Sequence, residues 1–179
     1  MCAMRRITGA ALLTLSVTAL AACATMDVNS YAAPEFEPRQ FRTYAWGPTD
    51  GSTGDARLDN NEFFDAAVRA DVERALAARG FVKVSGEPDI LVHYHASFTQ
   101  KMDLRDLDLD YDYCDDNDCR PSVYDAGTLI IDLVRPGTNK LVWRGWAEGS
   151  MDVIDNQDLL EERVAAVVAR IAERLPRAM

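Results

Sequence analysis

Two short stretches hold side chains able to do chemistry. The first is "DILVHYHASF", Asp89 to Phe98, which contains both histidines of the chain. Two residues apart on an extended segment, His93 and His95 face the same way, about 7 Å apart. An H-x-H pair can supply two ligands to zinc, with a carboxylate as the third. The plainer reading is the half-exposed face of a strand, and nothing in the sequence marks a third ligand. The second stretch is "DLDLDYDYCDDNDCRP", Asp106 to Pro121. Asp108, Asp110 and Asp112 have the 1-3-5 spacing of a calcium loop, and Asp115, Asp116 and Asp118 follow. The pattern then fails, because Tyr113 stands where glycine is required and Cys119 occupies the place of the bidentate glutamate. These aspartates could form at most a weak cation site, and a solvated hairpin is the plainer alternative.

Whether Cys114 and Cys119 pair depends on the compartment. The N-terminus, "MCAMRRITGAALLTLSVTALAACATMD", has a positive region at Arg5 and Arg6 and a mostly apolar run from Ile7 to Leu20. The run is too short and too rich in Ala and Thr for a membrane span, and the order is that of an export signal. "LAAC", Leu20 to Cys23, resembles the lipobox of bacterial lipoproteins. That resemblance implies a diacylglyceryl group on the Cys23 sulfur, removal of residues 1–22 and acylation of the new N-terminus. Three acyl chains hold a protein firmly where one holds it marginally. In such proteins an Asp after the cysteine signals retention in the inner membrane. Ala24 therefore implies the outer membrane, periplasmic side. In an oxidising compartment an even pair of cysteines is read first as a disulfide, so Cys114–Cys119 is expected.

The chain has 179 residues and a net charge of −10. Arg5 and Arg6 are the only charges before Cys23, so the mature protein is more acidic still. That excludes nucleic acid and anionic lipid surfaces as charge-driven partners. The sequence contains no P-loop, G-x-S-x-G, H-E-x-x-H or Rossmann glycine run. With both histidines on one short segment, no catalytic residue is assigned and no cofactor is expected.

The elements that must position these residues are readable. Residues 23–40 read as tether, although "DVNSY" could pair as a short edge strand. "FRTYAW" reads as a strand, and residues 49–58 as a loop. A helix runs from Asp59, spaced from Glu62 like a capping box, to a C′ glycine at Gly80. "FVKVS" and "DILVHYHASF" are strands. In the latter, Ile90, Val92, Tyr94, Ala96 and Phe98 share one face, and Leu91, His93, His95 and Ser97 the other. "GTLIIDLV" and "KLVWRGWAEG" form a hairpin around "RPGTN". Alternation there puts Trp143 with Leu141 on the core side, and Trp146 with Val142 and Arg144 on the other. A last helix carries Leu160, Val164, Val167, Val168, Ile171 and Leu175 at helical spacing and stops at Pro176. The expected fold is α+β, a mostly antiparallel sheet with two helices packed on one face. The expected domain spans residues 41–179, with a Cys-bracketed acidic insertion at 100–125.

"FRTYAW", "ARGF", "EPDILVHYHA" and "GTLIIDLVRPGTNKLVWRGWAEG" resemble the DUF4136-type family of small bacterial lipoproteins. The resemblance covers nearly all of the chain after Cys23 and implies no activity. The expectation is a membrane-anchored envelope lipoprotein, a non-catalytic binding or assembly component whose partners are the membrane, through its lipid, and an envelope protein. The alternatives are an envelope enzyme acting on the cell wall or a small molecule, and a divalent-cation-responsive module.

Overall fold

A computed structural model describes residues 26–48, 55–59, 61–103, 122–150 and 156–177. Six strands form one sheet: β1 (Met26–Ala32), β2 (Thr43–Trp46), β3 (Val82–Lys83), β4 (Ile90–Asp103), β5 (Ser122–Arg135) and β6 (Lys140–Ser150). They lie in the order β1-β6-β5-β4-β2-β3. The helices are α1 (Ala56–Asp59), α2 (Glu62–Ala78) and α3 (Gln157–Glu173).

The expectation of a mostly antiparallel sheet with two helices is corrected on both counts. The sheet is mixed, because β2 pairs parallel with both β3 and β4. A helix between β2 and β3 carries the chain back to the end where β2 began, which imposes parallel pairing. Alternation identifies a strand but carries no direction. The third helix, α1, lies where a loop was expected; a single turn is too short to show periodicity. Its last residue is Asp59, so the cap expected there is elsewhere: the Asn61 side chain accepts from the Phe64 N–H at 2.9 Å.

The stretch expected as tether also belongs largely to the fold. Met26–Ala32 pairs with Gly149–Trp143 as the edge strand β1, and Phe36 and Phe41 are buried in the core, stacked 5.6 Å apart. Only Val28 in β1 is buried, so the strand has no apolar alternation to betray it.

Other expectations hold in detail. Gly80 has φ +91°, and α2 ends in a Schellman motif. Phe81 N–H donates to Leu76 C=O and Gly80 N–H to Ala77 C=O, with Phe81 and Leu76 both buried. Asn139 takes positive φ in the β5–β6 turn. The core faces of α2 (Phe64, Val68, Val72, Leu76) and α3 (Leu160, Val164, Val168, Ile171, Leu175) lie as their spacing predicts.

Both long helices cover the sheet face made by Ile90, Val92, Leu129, Ile131, Leu133, Trp143 and Ala147. Near their amino ends Phe64 and Val164 line one apolar cleft, and at their carboxyl ends Arg79 donates to the Leu175 carbonyl. So α2 and α3 run side by side in the same direction. Asp89 fastens the start of β4 to β2, accepting from Arg42 N–H, Thr43 N–H and the Thr43 hydroxyl at 2.8, 2.8 and 2.9 Å.

Candidate functional site

The helices leave the second face of the sheet uncovered among the described residues. Residues directly opposite across a ladder point to the same side, so the strand registers give the rows of this face. One row is Leu91, Val134 and Leu141. The next is His93, Asp132, Arg144 and Tyr31, and the one after it His95, Ile130, Trp146 and Asn29. Ser97, Thr128, Glu148 and Asp27 follow.

A β-bulge between Leu133 and Val134 corrects one expectation. It places two residues of β6 against one step of β5, so Leu141 and Trp143 fall on different faces. Trp143 packs in the core as predicted, but Val142 joins it there instead of sharing a face with Trp146. Trp146 and Arg144 lie on the open face as expected, Trp146 half-buried.

At the centre sits Asp132, with a side chain only 5% exposed. A carboxylate so placed needs compensation. Arg144 provides it from the facing strand, Nε to Oδ1 at 2.7 Å and Nη2 to Oδ2 at 2.5 Å. The pairing raises the pKa of the Arg144 guanidinium. His95 Nε2 stands 3.5 Å from Asp132 Oδ2, outside the 2.6–3.2 Å of a working acid–base hydrogen bond. His93 lies against the backbone of Gly47. A Cβ on Gly47 would come within 2.9 Å of His93 Cδ2 and closer still to Nε2.

His93 and His95 therefore share a face as predicted. No group of three or more His, Cys, Asp or Glu gathers to hold a metal among the described residues. Cys23, Cys114, Cys119 and Asp108, Asp110, Asp112, Asp115, Asp116 and Asp118 lie outside the described residues.

A second polar cluster lies under α2. Trp46 Nε1 donates to Glu73 at 2.8 Å, and Arg69 lies over the Trp46 ring, 4.5 Å from its centroid. Tyr94 donates to Asp65 at 2.7 Å. Burial, then that hydrogen bond, raises the Tyr94 pKa, so the phenol stays protonated. This cluster ties α2 to β2 and β4, and Glu73 also pairs with Lys83 of β3.

Sequence reasoning missed the Asp132–Arg144 pair. The signal was present: one carboxylate interrupts the apolar run "LIIDLV", and the "RPGTN" turn brings Arg144 near it. The edge strand allowed for "DVNSY" is present as β1, but the sequence did not indicate that it brings Tyr31 to this face.

The sequence of residues 28–177 matches the family described as domain of unknown function DUF4136. The chain belongs to that family. No curated protein matches it. Among solved structures, this DUF4136 chain is similar to a PDZ domain protein from Parabacteroides distasonis. The TM-score is 0.53 and the identity 12%, over 82% of this chain and 35% of that one. The DUF4136 chain thus spans about a third of that protein's length. A DUF4136 family protein from Bacteroides thetaiotaomicron has a TM-score of 0.47 and 13% identity, covering 79% of this chain and 92% of the other. A PelC dodecamer from Paraburkholderia phytofirmans gives 0.48 and 8%, covering 85% and 99%. At such identities the first likeness is one of fold alone.

Proposed function

We propose that this DUF4136 protein is a lipid-anchored component of the cell envelope, held through Cys23 and facing the periplasm. It acts there as a non-catalytic binding or assembly component and contacts a protein partner through the open sheet face. One observation carries the reading. The face is a mixed surface in which Trp146, Ile130, Leu141 and Tyr31 surround an ion pair already satisfied within the chain. Catalysis needs convergent polar groups free to act on a substrate in a closed pocket. Here Arg144 takes both oxygens of Asp132. Exposed and half-buried aromatic and aliphatic side chains around a fixed polar centre suit protein recognition. On this face Lys101 pairs with Glu148 and Arg144 with Asp132, in a chain of net −10.

Site-specific photo-crosslinking in intact envelopes tests this. Probes at Ser97 and Thr128 on the open face should give a discrete protein adduct. Probes at Arg74 and Arg170 on the helix side should not. Trp146→Ala with Tyr31→Ala should abolish the adduct. Adducts of equal yield from both sides, or turnover of cell-wall fragments by the purified domain, would overturn the reading. Cys23→Ser should leave an unacylated chain; a variant still partitioning into detergent like the wild type would refute the anchor.

A further inference from the structure

The end of the domain where β1 begins carries exposed apolar side chains among charged ones. Of the six exposed large hydrophobic residues among those described, four lie there: Phe63 (66% exposed), Met102 (57%), Val123 (58%) and Leu159 (45%). Phe63 and Leu159 sit in the first turns of α2 and α3, which point the same way. Met102 and Val123 face each other one pair short of the last described pair of the β4–β5 ladder. Met26, the first residue of β1, lies in one row with Gly149, Gly127 and Phe98. The two glycines leave a dip in that row, and the apolar cleft beneath the helix amino ends opens over it, with Met26, Phe64 and Val164 in its walls.

The distance to Cys23 decides what this end meets. Only Ala24 and Thr25 separate Cys23 from Met26, so fully extended the three Cα–Cα steps span only about 10 Å. The hairpin pair Met102–Val123 stands four residues beyond the row of Met26, about 13 Å at the rise of a strand. The arm is therefore longer than the leash. With Cys23 held at the lipid surface, the Met102–Val123 pair would come within reach of the interface.

We propose that this apolar end is a bilayer-docking surface. Phe63, Leu159, Met102 and Val123 enter the interfacial layer beside the anchor and fix the domain's orientation. The inference rests on acylation of Cys23. Charge does not drive it: Glu62 and Asp158 stand beside Phe63 and Leu159, and the acidic stretch 104–121 joins the hairpin at Asp103 and Ser122. The anchor supplies the affinity and the apolar side chains the orientation.

The test uses the mature, acylated chain in vesicles of phosphatidylethanolamine and phosphatidylglycerol whose acyl chains are brominated near the headgroup. Single tryptophans are added by Phe63→Trp, Val123→Trp and, at the far end of β1, Tyr31→Trp; each is read as the difference from wild type. Flotation reports the anchor. The expected result is emission at 63 and 123 roughly halved, from shallow insertion at the acyl boundary, with position 31 unchanged. More phosphatidylglycerol should not deepen the quenching. A chain that floats while 63 and 123 are quenched no more than 31 overturns the docking surface and leaves the anchor standing. A chain that does not float overturns both.

Discussion

Gly145 is the position at which a single methyl group tests the packing of the whole core. It lies in β6 on the helix-covered face. A Cβ there would stand 2.6 Å from Ile171 Cγ2 and 2.8 Å from Trp143 Cζ2, and closer still to Trp143 Cη2. Neither neighbour has room to retreat: Trp143 is 2% exposed and Ile171 is fully buried. Gly145→Ala must therefore push α3 off the sheet or tilt the indole. Overpacking of this kind costs about 1–3 kcal/mol, and rigid neighbours place it in the upper half. Removing glycine's freedom from the unfolded chain returns about 0.4–1 kcal/mol. The net expectation is a loss of about 1.5–2 kcal/mol. With a urea slope of about 2 kcal/mol/M the midpoint falls by roughly 1 M. Two other glycines separate the causes. Gly86→Ala meets nothing within 4 Å and should match or slightly exceed wild type. Gly137→Ala also has open space but sits at φ +76°, so backbone strain alone should cost about 1 kcal/mol. If Gly145→Ala unfolds within about 0.5 kcal/mol of wild type at an unchanged slope, the close approach of α3 to β6 is wrong.

Ile171→Ala should cost about 3–4 kcal/mol and Val168→Ala somewhat less, since both are buried against the sheet; Arg170→Ala, exposed and 4.0 Å from Glu173, should fall near zero in the same urea titration. Arg144→Leu leaves Asp132 buried without its partner and should cost about 3–5 kcal/mol, while adding Asp132→Leu should recover most of it. Asp89 carries a pH signature. The Arg42 and Thr43 N–H groups, then the Thr43 hydroxyl, hold its pKa below the ordinary carboxylate value. Its contribution is full above the unfolded pKa of about 3.9 and is lost as pH falls through the lower folded value. The stability gap between wild type and Asp89→Asn, measured by urea midpoint from neutral to acid pH, should therefore close on acidification; a gap that widens would refute the fastening of β4 to β2.

The legible parts of this fold are those in which one residue type repeats with one period. The α3 stripe from Leu160 to Leu175, the two faces of β4 and the glycine stop at Gly80 all depend on local geometry, and all are found where the sequence puts them. The illegible parts depend on something distant. The parallel direction of β2 and β4 follows from the α2 crossover. The split of Leu141 from Trp143 follows from a bulge in β6 that only its pairing with β5 reveals. β1 is held by its backbone ladder to β6, with Val28 alone buried, so its side chains say little. At the candidate face, the side assigned to His93, His95, Arg144 and Trp146 was readable from alternation. The tie between Asp132 and Arg144 needed the register of a bulged hairpin, and that comes only from the folded chain.

The open face and the apolar end are arranged so that one can be disturbed without the other. β1, β4, β5 and β6 all run between the two ends of the domain, so the open face stands along their length and the apolar end caps it. With that end on a bilayer, the face looks sideways over the membrane, toward whatever shares the membrane plane. Substitutions at Trp146 and Tyr31 would then remove a partner while leaving the orientation on vesicles intact. Substitutions at Phe63 and Val123 would loosen the orientation while leaving the Asp132–Arg144 centre untouched. The short leash also limits the partner. With Cys23 acylated, a domain whose first strand starts within about 10 Å of the anchor point would stay in the layer next to the lipid. That favours partners that are themselves membrane-bound over those free in solution, because confinement to one layer raises their effective concentration.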